Sequence, residues 1–240
     1  MTVHERSTRR VAVLAPMRPE LTAVVRAGAL RRTGHDGPIS HGGTAGTWNV
    51  AAGVIGVGPA SARRATERVL EQGTFDHVMV VGIAGGLDPA LPVGALIVPR
   101  QVRLYPDGPL YQAHPLPSRQ AEGNLMTTDG LLSAEEAWRA ILESGFGAVD
   151  MEAAGVAEAC ERAGVDWSVY RGISDRPDED IVDQAVFALS KPDGSADLRA
   201  VGRYLIRDPR RARTLAHLNR AMGQAAHVAA TAAFGDLARS

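Results

Sequence analysis

Short apolar runs recur along this chain with helix-patterned stretches between them. Residues 11–15 read VAVLA, residues 77–81 HVMVV and residues 167–173 WSVYRGI. An apolar run without polar alternation suits a strand covered on both faces. After the first run Pro19 opens a helix on which Leu21, Val24 and Val25 share one face. Ala62, Ala65, Val69 and Leu70 repeat the pattern over 60–72, and Val156, Ala159, Cys160 and Ala163 over 151–163. Further strands are predicted at 48–57, at 95–99 and just before Asp150. Residues 34–46, rich in Gly, His and Ser, read as turns, and 104–118, with four prolines, as a surface excursion. Residues 178–194 are polar, and from about 198 the chain reads as a helical, Arg-rich extension broken at Asp208-Pro209. The alternation predicts an α/β fold over 1–240, one domain with a mixed, largely parallel central sheet flanked by helices on both faces.

Composition narrows the function classes. With 45% hydrophobic and 22% charged residues, the chain can bury a sizeable core and keep a soluble surface. A formal net charge of −1 gives no bulk field to recruit nucleic acid or an anionic membrane. The single cysteine, Cys160, leaves no internal disulfide and fits a reducing compartment. The seven histidines show no metal-ligand spacing, so neither a metal nor another cofactor is predicted. The run at 11–15 is too short for a signal-peptide core or a membrane span. The expected location is the cytoplasm.

In open α/β sheets ligands gather beyond the carboxyl ends of the strands. That rule brings segments 15–20, 57–61, 82–86, 150–152 and 173–175 near one another. Three of them carry carboxylates. Read alone, Glu20 suits the first turn of a helix, Asp150 and Glu152 suit a helix cap, and Asp175 suits a cap or an ion pair with Arg171 or Arg176. Read together they are a candidate acid cluster. Glu152 could accept hydrogen bonds from two vicinal sugar hydroxyls. Asp175 could serve as a general acid if burial or a neighbouring carboxylate raises its proton affinity. Gly58 and Ser61, ahead of a helix N-terminus, could cradle phosphate or simply make a tight turn. That turn carries neither a dinucleotide fingerprint nor a Walker motif. The glycines at 82, 85 and 86 let backbone approach either a ligand or a crossing chain segment.

Three segments in order, residues 82–88 (GIAGGLD) with Val93-Gly94, residues 149–153 (VDMEA) and residues 171–175 (RGISD), resemble the purine nucleoside phosphorylase/nucleosidase superfamily. Within it the nucleosidases acting on methylthioadenosine and adenosylhomocysteine look most similar. The resemblance runs from residue 11 to about 176. It implies that Glu20, in the segment Met17-Arg18-Pro19-Glu20, activates an attacking water. It implies that Glu152 holds the ribose hydroxyls, that Met151 packs on the sugar, that Asp175 protonates N7 of the purine and that Arg171 lies near the nucleophile. Asp150, Gly85 and Ser174 are placed in the substrate site with them. Two positions depart from the pattern: Ile83 stands where a serine is frequent, and Leu131 where an aromatic stacks on adenine. Both imply a more apolar pocket. Residues 189–220 resemble hopanoid-associated members, which implies a lipid-tailed adenosine as substrate and contact at the membrane surface. The arginines there, Arg199, Arg203, Arg207, Arg210, Arg211 and Arg213, otherwise read as a solvated helix face. A homo-oligomer is also implied by resemblance.

The leading expectation is therefore a nucleosidase releasing adenine from a 5′-substituted adenosine, with water as co-substrate. The rival is a phosphorylase with phosphate at Gly58 and Ser61 beside Arg171. A carboxylate at position 20 favours water, because it would repel a phosphate dianion. A dinucleotide-dependent oxidoreductase is excluded by the lack of glycines after the first strand. A non-catalytic nucleoside-binding module on the same fold is the remaining alternative of another class.

Overall fold

In the computed structural model, which describes residues 9–34, 37–132, 135–176 and 211–240, the apolar runs form the middle of one mixed sheet. β1 (Arg9–Ala15) lies between β4 (Trp48–Val54) and β5 (His77–Gly86), parallel to both. β11 (Asp166–Asp175) runs parallel along the other edge of β5. The sheet extends one way through β3 (Ile39–Ala45) to the short edge strand β2 (Arg31–Arg32), both antiparallel additions. The other way, β10 (Ala148–Asp150) joins the end of β5 antiparallel, then pairs in parallel with β9 (Asn124–Thr127). β7 (Gln101–Leu104) and β8 (Leu110–Gln112) complete that side, and β6 (Leu96–Ile97) pairs with β11.

Helices cover both faces, because the central strands are apolar on both. α1 (Arg18–Ala27) and α5 (Arg211–Arg239) pack on one face, where Leu21 and Val24 meet Ala229, Ala230 and Ala233 over Val11 and Val13. α2 (Pro59–Glu71) and α4 (Ala153–Ala163) pack on the other, through Ala62, Ala65, Val69, Val156 and Cys160. These two helices touch closely because Gly155 has no side chain: a Cβ there would lie 2.0 Å from Pro59 O. α3 (Glu135–Glu143) covers a smaller cluster of Leu87, Met126, Ile141 and Phe146. No helix among the described residues is long and apolar enough to cross a membrane.

α5 is fastened to the back of β11 at two places. A Cβ on Gly172 would lie 2.1 Å from Ala225 O, so strand and helix backbones meet there directly. Further along, the fully buried Asp236 accepts hydrogen bonds from Tyr170 Oη (2.9 Å) and Arg119 Nε (2.7 Å).

The structure has the α/β architecture that the sequence predicts, with several corrections. Residues 34–46 are not only turns, since β3 occupies most of them. Its residues are half-exposed and it is held by its ladder to β4, so it needs no apolar alternation of its own. The sheet is more mixed than expected, with antiparallel pairs at β10–β5, β7–β8, β6–β11 and the β2–β3–β4 edge. The excursion at 104–118 contains β8 and the buried Leu116. β9 and α3 were not predicted. The glycines after residue 81 continue β5 as strand, and the helix expected from 151 begins at Ala153. Residues 178–194, the Asp208-Pro209 break and Arg199, Arg203, Arg207 and Arg210 lie outside the described residues.

Candidate active site

β1 ends at Ala15 and α1 starts at Arg18, which puts Glu20 in the first turn of the helix. Its Oε2 accepts the Met17 backbone N–H (2.9 Å), the ordinary use of an acid at a helix start. Its Oε1 crosses to β5 and accepts the Ile83 N–H (2.9 Å). Gly82 is what permits that crossing: a Cβ there would stand 2.2 Å from Glu20 Oε1 and 2.4 Å from Arg171 Nη1.

Arg171 comes from the middle of β11 and is fully buried. Its Nε donates to Asp150 Oδ2 (3.1 Å), and its Nη2 donates to Asp150 Oδ2 and to Glu152 Oε2 (3.1 Å). Its Nη1 stands 3.9 Å from Glu20 Oε1 and has no hydrogen-bond partner among the described residues. One guanidinium thus faces three buried carboxylates from three other elements. Burial works against its charge, but the carboxylates outweigh burial and hold its proton more tightly than usual.

Asp150 and Glu152 serve different ends. Asp150 Oδ2 also accepts the Ala153 N–H at the start of α4 (3.0 Å), and Oδ1 accepts from Thr127 Oγ1 (2.6 Å). Asp150, expected among the substrate-binding residues, has both oxygens on protein donors, as has Glu152. Glu152 occupies the N-cap position of α4, but its side chain does not cap that helix. It turns to Arg171 and, through Oε1, to the Gly58 N–H ahead of α2 (3.3 Å). Gly58 has φ +92, a left-handed conformation that favours glycine. A Cβ on it would lie 3.7 Å from Asp129 Oδ1, so the α2 N-terminus faces two carboxylates. Ser61, in the first turn of α2, is half-buried beside Gly56.

Burial is the largest influence on the two glutamates. It pushes Glu20 up to about 7, against the pull of Arg171 and the two backbone N–H groups. It pushes Glu152 up to about 8, again against Arg171, with Asp150 and Glu20 adding to the rise.

Asp175 ends β11, where the strand slips register against β5 and pairs with Gly85. Ser174 Oγ lies within hydrogen-bond reach of Asp175 Oδ1 and of Ala84 O (3.3 Å). The place a Gly85 Cβ would occupy is 3.6 Å from Asp175 Oδ2, so the carboxylate passes over a bare stretch of strand. Ile83 contacts Glu20 and Gly85 faces Asp175. The two acids therefore address positions two residues apart on β5, about 7 Å along the strand. Ile83, Met151 and Leu131 are half-buried. Leu131 follows a loop tied to Asp150 by the Thr128 N–H on the Asp150 carbonyl (2.8 Å) and to itself by Thr128 Oγ1 on Gly130 O (2.8 Å).

Sequence reasoning assigned no separate place to Gly82, Thr127 or Asp129. Gly82 lay inside a flagged glycine run, whereas nothing in the Met126–Asp129 stretch distinguishes the two polar residues from ordinary strand-end and loop residues.

An α/β sheet flanked by helices, with a buried acid–arginine cluster towards the carboxyl ends of its strands, defines a fold that presents ionisable groups to a small ligand. The chain matches the family model of the Phosphorylase superfamily over residues 10–119 and 110–206, and it belongs to that superfamily. The 5′-methylthioadenosine/S-adenosylhomocysteine nucleosidase of Colwellia psychrerythraea is 25% identical over 203 residues, covering 69% of this chain and 83% of its own length. Among solved structures, the nucleosidase of the same name from Helicobacter pylori has a TM-score of 0.72 at 16% identity, covering 98% of this chain and all of that one (100%). The futalosine hydrolase of Helicobacter pylori has a TM-score of 0.68 at 16% identity, covering 97% of each chain.

Proposed function

We propose that this protein is a nucleosidase that hydrolyses the N-glycosidic bond of a 5′-substituted adenosine and releases adenine. The observation that carries the reading is the spacing of Glu20 and Asp175 along β5, about 7 Å apart at strand level. That separation suits one group at the anomeric carbon and another at the purine. Water attacks C1′ as the C1′–N9 bond breaks. Glu20 takes the proton of the water, and Asp175 gives a proton to N7, so the base leaves neutral. In its ionised form Glu152 stabilises the cation that develops on the sugar, and its oxygens accept from the two ribose hydroxyls. Arg171 Nη1, 3.9 Å from Glu20 Oε1 and without a hydrogen-bond partner among the described residues, is the donor that the cluster turns towards the base.

Hydrolysis is favoured over phosphorolysis by the α2 N-terminus. The Gly58 N–H is already directed at Glu152, and Asp129 stands close by, so a phosphate dianion there would meet two carboxylates. The similar proteins named above are a nucleosidase and a hydrolase, which supports the same choice. The half-buried Ile83, Met151 and Leu131 favour a more apolar pocket, and the resemblance of residues 189–220 to hopanoid-associated members favours a lipid-tailed adenosine handled at the membrane surface. We place the enzyme in the cytoplasm as a homo-oligomer.

The test is a panel of adenosines with small polar and large apolar 5′ groups, assayed for adenine with and without phosphate. Adenine and free sugar at a phosphate-independent rate are expected, fastest with the apolar groups. A sugar 1-phosphate product, or release that requires phosphate, would overturn the hydrolytic reading.

A further inference from the structure

Arg171 is held by Asp150 and Glu152, and Asp150 is held in turn by Thr127 and by the Ala153 N–H. Thr127 ends β9, and the parallel register sets it directly beside Asp150. It is fully buried. Its Oγ1 accepts the Ala154 N–H of α4 (3.0 Å) and lies 2.6 Å from Asp150 Oδ1. Because one side of the hydroxyl faces a donor, its hydrogen is directed at the carboxylate. Asp150 Oδ2 meanwhile takes the Nε and Nη2 edge of Arg171. A guanidinium is planar, so fixing that edge also fixes where Nη1 points, and it points towards Glu20.

We propose that Thr127 is a positioning residue for the glycosidic cleavage: its hydroxyl orients Asp150, which turns Arg171 so that Nη1 is presented beside Glu20. This rests on the reading of Glu20 as the base. Without the hydroxyl, Asp150 Oδ1 and the Ala154 N–H lose a buried partner. Asp150 is then less well compensated, and it draws Arg171 from Glu20 and Glu152. Both changes raise the proton affinity of Glu20, since Arg171 lowers it and Asp150 raises it. The groups facing Glu20 are Arg171 from β11, Asp150 from β10 and Glu152 ahead of α4.

Thr127→Val keeps the β-branched shape and removes the hydroxyl, Thr127→Ser keeps the hydroxyl and removes the methyl, and Thr127→Cys leaves a weak donor. We expect kcat/KM for adenine release by T127V to fall about 10- to 100-fold at neutral pH, the loss of a hydrogen bond to a charged group. Its acidic limb should move to higher pH, KM should change less than kcat, and T127S should restore both rate and limb. T127V with wild-type activity, or a reduced rate with an unmoved acidic limb and no rescue by T127S, would overturn the proposal. If T127V does not fold, the limb of T127C decides: a shift upwards supports the relay and an unmoved limb overturns it. Titration of the labelled Glu side chains by NMR reads the same shift without turnover. A wild-type protein that releases no base from any adenosine would count against the nucleosidase reading, while the NMR titration would still judge Thr127.

Discussion

Glu20 reaches the backbone of β5 only because Gly82 leaves the space empty, with 2.2 Å between Glu20 Oε1 and the place a Cβ would occupy. Gly82→Ala should therefore displace Glu20 or Arg171, both buried and held by other contacts. We expect kcat/KM to fall about 100-fold, roughly 3 kcal/mol of lost transition-state stabilisation, while thermal unfolding remains cooperative. A variant of near wild-type activity would show that the Glu20–Ile83 contact is dispensable.

Asp175 is assigned the proton that leaves with the base. Asp175→Asn keeps the shape and the neighbour Ser174 but cannot protonate N7. Turnover should drop about 10²- to 10⁴-fold, as for loss of a general acid, with affinity for adenine retained. Stopped-flow adenine release together with calorimetric titration of adenine separates the two effects. Equal losses in both would assign Asp175 to binding alone.

The two buried glutamates make activity and stability respond to pH in opposite directions. Glu20 works as a base only when ionised, and its proton leaves at about 7, so kcat/KM should rise through neutrality. For stability the sign runs the other way. Both glutamates are raised above 4.5, so between that value and about 7 to 8 the folded chain holds protons that the unfolded chain has released. Their contribution is present below about 4.5 and is lost as pH rises through 7 and 8. The ligand-free protein should melt several degrees lower at pH 8.5 than at pH 5.5, roughly 3–8 °C, from these groups. Glu152→Gln removes one of the two groups, and a melting series in which its slope matches wild type would refute this account.

Gly172 stands where β11 and α5 touch backbone to backbone. Gly172→Ala must separate them, since the atom 2.1 Å from the new methyl is Ala225 O rather than a flexible side chain. Overpacking of this kind costs about 1–3 kcal/mol or more. Denaturant titration should show that loss, and because Arg171 is the adjacent residue the remaining folded enzyme should also turn over more slowly. Unchanged stability would mean that α5 shifts freely.

Much of this architecture was legible because the strands at the centre are apolar on both sides. β1 and β11 announce themselves in VAVLA and WSVYRGI, and the odd member of the second run, Arg171, proves to be the hub of the acid cluster. A charge inside an otherwise apolar strand must be paired, so that position was informative in itself. β3 was not legible, since a strand rich in Gly, Ser and His is defined by its ladders to β4 and β2 rather than by its own pattern. α3 carries a helical pattern, Trp138, Ile141 and Leu142 behind two acids, in a segment too short for that pattern to stand out from its loops. In the site, Glu20, Asp150 and Glu152 come together as strand-end reasoning suggested, around Arg171, which the family resemblance had placed there. Asp150 could not be separated from Glu152 by sequence, because the difference lies in which donors surround each carboxylate. Thr127 owes its place to the β9–β10 register, which no local pattern encodes.

The seam between α5 and β11 has a consequence for how the enzyme is made. The ribosome completes every acid of the cluster by Asp175, while the helix that seals the back of β11 begins at Arg211 and ends at Arg239. At ordinary elongation rates that leaves several seconds, on the order of 3–13 s, in which the nascent chain owns all its chemical groups but lacks the wall behind its key strand. Tyr170 is then without Asp236, and the backbone at Gly172 has no covering helix. Competence thus arrives only once α5 has been made. A chain that stops short of α5 should accumulate as an inert, chaperone-dependent species despite carrying the full set of acids.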